Sequence, residues 1–210
     1  MVPEIRRVSG ADAEVEAAAA VLARAFLDEP IFIAAVPDTG DRLRLCPPLF
    51  RANLRHACRF GEAFAVGEPG GPPLGVAYWV PRPEPRLNET DAADLGYAAL
   101  AEWSAGLTRL SGLEAEAAQT LDRLPEPWRY LGAIGVDPTR QGLGLGSLLL
   151  GRLVADARAA NADLGLVTDR TRNVPFYEKA GLAVVAEGTT AGGLHWWTMA
   201  TGFPDGMDRS

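Results

Sequence analysis

The run Arg140-Gln141-Gly142-Leu143-Gly144-Leu145-Gly146-Ser147 holds the residues whose types and spacing come closest to declaring a chemistry. Glycine at every second position strips Cβ atoms from this stretch, so a bulky anion can reach the backbone and successive N–H groups can converge on it. Leu145, Leu149 and Leu153 then recur at i, i+4 and i+8, and the run from Leu145 to Ala160 reads as a helix. The free N–H groups of its first turn and the positive end of its dipole would meet the glycine loop at one point. Anion binding is the chemistry these residues indicate.

Two nucleotide readings of the loop fail on its residues. A nucleotide-hydrolase phosphate loop ends in Gly-Lys-Ser/Thr, whereas Gly146 passes into Ser147-Leu148 with no lysine. A dinucleotide fingerprint needs Gly-x-Gly-x-x-Gly, and counted from Gly142 the sixth position is Ser147. A glycine-rich turn without a ligand stays open at this level.

The loop must be held by the elements on either side of it. Leu131, Ala133, Ile134 and Val136 form a short apolar β-type run, which Asp137-Pro138 stops because proline lacks a ladder N–H. Beyond the helix, Leu164 to Thr168 reads as a buried strand, so strand, loop, helix and strand suggest a right-handed βαβ unit. Arg170-Thr171-Arg172 turns into a short helix from Asn173 to Ala180, with Pro175 in its first turn and Gly181 at its end. Leu182 to Glu187 and Leu194 to Ala200 are the last predicted strands.

Upstream, Glu4 to Val8 is a predicted strand, and Ser9 and Asp12 offer capping oxygens to a helix from Ala11 to Phe26. Asp28-Glu29-Pro30 breaks that helix, Ile31 to Val36 forms a short one, and Pro37 to Gly40 is a loop. Pro47 and Pro48 suit the first turn of a helix running to about Phe60. Ala63 to Val66 and Leu74 to Val80 are strands joined by the Glu68 to Pro73 turn, and Pro81 to Pro85 ends regular structure. Asp91 to Leu124 should be one or two helices, interrupted near Ser111-Gly112 and carrying Tyr97, Glu102 and Trp103.

Composition narrows the function. A chain of 210 residues, 48% hydrophobic, can build one well-cored domain, here taken as 1–200 with a polar tail at 201–210. Its net charge of −7 argues against nucleic acid and suits an amine-bearing partner. No stretch approaches the roughly 20 apolar residues of a membrane span. The charged N-terminus has no apolar secretory core, so no membrane association and a cytoplasmic location are expected. Cys46 and Cys58 read as buried or half-buried thiols, and with only His56 and His195 besides, no metal site is expected.

Gln141-Gly142-Leu143-Gly144-Leu145-Gly146 fits Arg/Gln-x-x-Gly-x-Gly/Ala, and Arg172-Asn173-Val174-Pro175-Phe176-Tyr177-Glu178-Lys179-Ala180-Gly181-Leu182 follows at a suitable separation. The pair resembles the GNAT superfamily of acyl-coenzyme-A N-acetyltransferases. Gly-Ala-Ile-Gly-Val-Asp-Pro and Arg-Asn-Val-Pro-Phe-Tyr-Glu resemble its puromycin N-acetyltransferase-like branch. The likeness covers Tyr130 to about Met199; the N-terminal half resembles the branch loosely, through Ala25-Phe26 with Asp28-Glu29-Pro30 and through Tyr78 to Pro81.

The resemblance implies an α/β domain with a mixed, mostly antiparallel sheet of about seven strands, two splayed central strands and helices on both faces. Acetyl-coenzyme A would sit in the wedge and a small-molecule primary amine would attack it directly, in a monomer or homodimer. Ile134, Gly135 and Val136 would pair with the pantetheine amides, and Arg140, Gln141, Gly142, Leu143, Gly144, Leu145, Gly146 and Ser147 would hold the pyrophosphate. Asn173, Phe176 and Tyr177 would approach the thioester. A backbone N–H near Gly135 or Val136 would stabilise the oxyanion and Tyr177 would protonate the departing sulfur. Arg170 and Arg172 are candidates for the 3′-phosphate, or ordinary exposed arginines.

Glu29, Tyr78, Trp79, Glu102 and Trp103 are the candidate acceptor residues. Trp79, Trp103, Trp196 and Trp197 either line an aromatic pocket or belong to the core, with core favoured for at least two; His56 and His195 read as structural. Relatives of this branch carry His-Trp before the Tyr-Leu pair and a glutamate in the next strand, where this chain has Trp128-Arg129 and Val167. Glu29, Glu102, or Asp169 through water would then have to take the proton, each being equally readable as a solvated surface carboxylate. The rival reading is a non-catalytic acyl-coenzyme-A-binding or regulatory module.

Overall fold

The computed structural model describes residues 2–202. Residues 203–210 of the expected tail therefore lie outside the described residues, while Thr201 hydrogen-bonds back to Leu164 and Asp163. The chain runs β1 (Glu4–Arg7), α1 (Asp12–Phe26), α2 (Pro30–Ala35), α3 (Thr39–Phe60), β2 (Glu62–Gly67), β3 (Pro73–Arg82) and α4 (Glu89–Leu95). It continues with α5 (Ser104–Ala118), β4 (Trp128–Val136), α6 (Leu145–Ala159), β5 (Asp163–Thr168), α7 (Val174–Glu178), β6 (Ala183–Thr189) and β7 (His195–Ala200). The strands form one seven-stranded sheet in the order β1-β2-β3-β4-β5-β7-β6. Every pairing is antiparallel except β4 with β5, the two strands that α6 connects.

Alternation along the strands sends side chains to two cores. Ala63, Ala65, Val76, Tyr78 and Val80 pack with α1, α2 and α3 on one face. Phe64, Val66, Ala77, Trp79 and Leu131 pack with Leu145, Leu149, Leu150 and Leu153 of α6 on the other. The stripe expected for α6 is thus its buried face, and the domain is the α/β sandwich that the sequence implied.

Three local expectations fail. Pro47 and Pro48 lie inside α3, which begins at Thr39 with Asp38 accepting from the Asp41 N–H. Leu45, Cys46, Leu49 and Phe50 are buried on both sides of the prolines, so packing of one continuous face outweighs the lost backbone bonds. The break in the Asp91–Leu124 region falls at Gly96, whose φ of 95° is left-handed, and α5 runs through Ser111-Gly112 unbroken. Ser9 does not cap α1; its N–H and hydroxyl both donate to Glu14, each at 2.7 Å. No described helix is long and apolar enough to cross a membrane.

Candidate active site

The sheet opens where β4 leaves β5. Only Trp128, Arg129 and Tyr130 pair with β5, through Asp163, Leu164 and Gly165. Just beyond, Tyr78 pairs with Ala133 and Trp79 with Leu131, which leaves Gly132 as an extra residue in β4. Such a bulge bends and twists its strand. The Tyr78 ring fills the space where a side chain would stand, since a Cβ on Gly132 would lie 2.2 Å from Tyr78 Cε2. Leu131 to Val136 therefore keep their pairing with β3 but present a free edge on the other side.

A cavity of about 770 Å³ occupies the gap and is lined from both faces of the sheet. At one end are Ile134, Gly135, Val136, Arg140, Gln141, Gly142, Gly144, Leu145, Gly146 and Ser147. Leu143 is exposed and outside the lining, because the loop turns it to solvent. Gly142 and Gly144 have φ values of 81° and 78° with nothing near a would-be Cβ, so backbone conformation and not crowding requires glycine there. Leu148 N–H is the first bonded within α6, to Gly144 O, which leaves the Leu145, Gly146 and Ser147 N–H groups without intrahelical partners. The loop is tied down by the Asp137 carboxylate, which accepts from Thr139 N–H at 3.0 Å and faces Arg24 at 2.7 Å.

Asn173, Phe176 and Tyr177 line the same cavity. Asn173 Nδ2 donates to Thr168 Oγ1 at 3.2 Å, and the Phe176 ring packs beside Gly146, joining α7 to the start of α6. Tyr177 is buried; desolvation, with Glu29 and Asp169 nearby, raises its pKa above the ordinary phenol value and leaves it protonated at neutral pH.

The carboxylates differ in what they are bonded to. Glu29 lines the cavity, and burial raises its pKa, but Arg170 Nε donates to it at 2.6 Å while Arg170 Nη2 donates to Asp28 O. Arg170 is thereby spent on holding the α1–α2 corner, whereas Arg172 lines the cavity. Asp169 accepts the Ile31 N–H at 2.5 Å. Val167 lines the cavity without a titratable group.

Of the acceptor candidates, Glu29 and Tyr78 line the cavity and Trp79, Glu102 and Trp103 do not. Strand alternation turns Trp79 to the opposite face, where Arg129 lies 4.0 Å from its ring centroid. Glu102 is exposed, and Trp103 packs on the helical core. Trp197 also packs in a core cluster, while Trp196 reaches the cavity. His56 is buried and outside the lining, with Nδ1 3.2 Å from the Tyr97 hydroxyl.

Sequence reasoning missed Glu114, Tyr130, Tyr97 and Asn53, all of which line the cavity. Glu114 could have been found: it interrupts the apolar stripe Leu107, Leu110, Ala117 at helical spacing, which puts a carboxylate where a core residue belongs. Glu114 is half-buried in that wall, and the loss of water there pushes its carboxyl up to about 7. Tyr97 donates to Asn53 Oδ1 at 3.0 Å and forms the polar floor of the helical side.

Comparison with known proteins agrees with this geometry. A histone acetyltransferase HPA2 and related acetyltransferase from Corynebacterium glutamicum matches with a TM-score of 0.67 at 18% identity, over 98% of this chain and 99% of its own. PaiA N-acetyltransferase from Thermoplasma acidophilum, solved with coenzyme A, matches at 0.57 and 12% identity over 97% of this chain and all of its own. A GNAT family acetyltransferase from Brucella melitensis, solved with acetyl-CoA, matches at 0.52 and 17% identity over 97% of this chain and 90% of its own. These likenesses establish the fold. The model of the Acetyltransferase (GNAT) family matches residues 78–182, from the Tyr78 strand through the wedge, the glycine loop and α7. With half of its length matched, the chain belongs to the GNAT acetyltransferase family.

Proposed function

We propose that the protein transfers an acetyl group from acetyl-coenzyme A to the primary amine of a small molecule, by direct attack, and that it stands in the puromycin N-acetyltransferase-like branch. The observation that carries this reading is the single cavity joining the free edge of β4, the glycine loop with the start of α6, and Tyr177. The residues fit the coenzyme: Leu131–Val136 offer unpaired backbone groups to an amide-bearing arm, and the loop offers free N–H groups and Arg140 to a pyrophosphate. Gly132 to Pro138 and Arg172 to Glu178 support the branch.

When bound, acetyl-coenzyme A supplies a thioester carbonyl for the amine to attack and a thiol to leave. The Asp137 N–H bonds Leu74 O of β3, so alternation turns the Gly135 N–H to β3 as well and leaves the Val136 N–H facing the gap. There it would stabilise the charge developing on the carbonyl oxygen, an effect on the order of 3 kcal/mol for one preorganised donor. Tyr177 holds its proton across the neutral range and gives it to the departing sulfur. The surroundings that raise the phenol's pKa also raise the proton affinity of a thiolate formed beside it, so the transfer stays feasible.

Thiol release from acetyl-coenzyme A over a panel of amines tests the proposal. Wild type should turn over with at least one amine, and Tyr177→Phe should cut the rate about 100-fold or more while calorimetry finds coenzyme binding unchanged. Equal turnover removes Tyr177 from the mechanism. Coenzyme binding with no turnover across the panel would make the chain a non-catalytic acyl-coenzyme-A-binding module.

A further inference from the structure

Leu107, Leu110, Glu114 and Ala117 of α5 all face the cavity. The helix is held on both sides of Glu114: Arg109 Nε donates to Ala35 O of α2 at 2.8 Å, and the Thr198 hydroxyl of β7 donates to Ala117 O. Glu114 is thus a fixed part of the wall. Among the described residues, no hydrogen bond engages its carboxylate. Arg82 is the one cation whose charge favours its ionised form, and Arg82 is committed elsewhere, 3.0 Å from Glu84 and 4.9 Å from the Tyr130 ring centroid. Glu84 and Asp169 add negative charge around it, Tyr78 and Tyr130 face it from β3 and β4, and α2 brings no titratable side chain. An unpaired carboxylate in such a wall is costly, so it is held near the balance between its protonated and ionised forms, and a cation brought into the cavity by a ligand would favour the ionised one.

Resting on the reading of the protein as an amine acetyltransferase, we propose that Glu114 receives the ammonium group of the acceptor and takes its proton, and that the acceptor is a primary amine on an apolar body. Glu29 and Asp169 are already bonded to Arg170 and to the Ile31 N–H, which leaves Glu114 as the free carboxylate of the three. The apolar body follows from the wall beyond it: Phe26, Phe32 and Phe50 form a cluster with ring centroids 5.1–5.9 Å apart, and Leu107 and Leu110 continue it. A polyamine would set further charges against these groups.

In the step itself, one ammonium proton passes to the Glu114 carboxylate and the freed nitrogen lone pair forms the N–C bond. The C–S electron pair leaves on sulfur, which takes the Tyr177 proton. The nitrogen's second proton, lost as the amide forms, restores Tyr177, and Glu114 returns its own to solvent. A carboxyl near neutrality accepts a proton and gives it up again with little penalty.

Thiol release by wild type and Glu114→Gln, with 2-phenylethylamine and with spermidine, over about pH 5.5 to 9, is the test. Wild type should favour 2-phenylethylamine by about tenfold or more, with kcat/KM falling on the acid side near neutrality; Glu114→Gln should lose about 100-fold in kcat/KM and that acid limb with it. Calorimetry without coenzyme should find 2-phenylethylamine binding about tenfold weaker in the variant. Unchanged acetyl-coenzyme A affinity identifies the variant as folded, and Glu114→Asp should restore the acid limb. A Glu114→Gln protein with wild-type rate and acid limb overturns the role of Glu114, and preference for spermidine overturns the apolar acceptor. A wild type silent with every amine instead defeats the acetyltransferase reading beneath both.

Discussion

Replacing Glu114 by Gln should stabilise the folded chain at pH 8 and leave it unchanged at pH 4, a pattern opposite to the usual loss on removing a polar group from a cavity wall. Glu114 is held at about 7 against an ordinary value of 4.5, because the cavity wall strips water from the charged form. The folded state therefore binds this proton more tightly than the unfolded one. The stability that goes with it is complete below about pH 4.5 and is lost as pH rises through about 7. At about 1.4 kcal/mol per tenfold difference in proton affinity, the loss by pH 8 is on the order of 3 kcal/mol, a ceiling that water in the cavity lowers. Glutamine keeps the shape and carries no charge, so the variant escapes the loss. Urea unfolding reads it directly: with a slope of about 2–3 kcal/mol/M, the midpoint should rise by about 1 M at pH 8 and stay within error at pH 4. Glu29 titrates in both proteins and cancels in the comparison, while the repulsion from Asp169 is already part of what raises Glu114. An offset between the two proteins that does not change with pH would refute the reasoning, because it would mean that the carboxylate is solvated in the folded state.

Gly132→Ala sets a methyl against the Tyr78 ring, so it should displace that ring and lower stability by about 1–3 kcal/mol in urea unfolding. Gly144→Ala forces a side chain onto a φ of 78°, costing about 1 kcal/mol, and calorimetry should find acetyl-coenzyme A binding weakened along with it. Arg170→Ala leaves the Glu29 carboxylate and Asp28 O without their donor; the cost of about 2 kcal/mol at pH 8 should shrink at pH 4, where protonated Glu29 needs no counter-charge.

How far the chain could be read without its fold depended on whether a signal was local. Strand, glycine loop and helix lie in one continuous stretch, and the left-handed conformations of Gly142 and Gly144 are demands that only glycine meets cheaply. The α6 stripe is equally local, since i and i+4 residues share a face wherever the helix lies. Prolines 47 and 48 were misleading because local chemistry forbids them inside a helix, and only the burial of Leu45, Cys46, Leu49 and Phe50 around them explains why α3 continues. Trp79 stood open between pocket and core for a related reason: alternation assigns it to the face opposite Tyr78, but that α6 and Arg129 cover it there is decided by packing from elsewhere in the chain.

The sequence by itself determined the glycine loop, the strand and helix that carry it, the order of most elements and the place of Tyr177 in the short helix after the next strand. Tertiary structure alone decided that β4 parts from β5 at the Gly132 bulge, that the gap joins both faces of the sheet, and that α5 carries Glu114 to its wall. The reason is physical: periodicity reports which side of an element avoids water, and it is silent about which other element takes water's place. Glu114 sits on an apolar stripe in any fold, yet the free edge, the aromatic wall and the missing counter-charge behind its proposed task come from packing between distant parts of the chain.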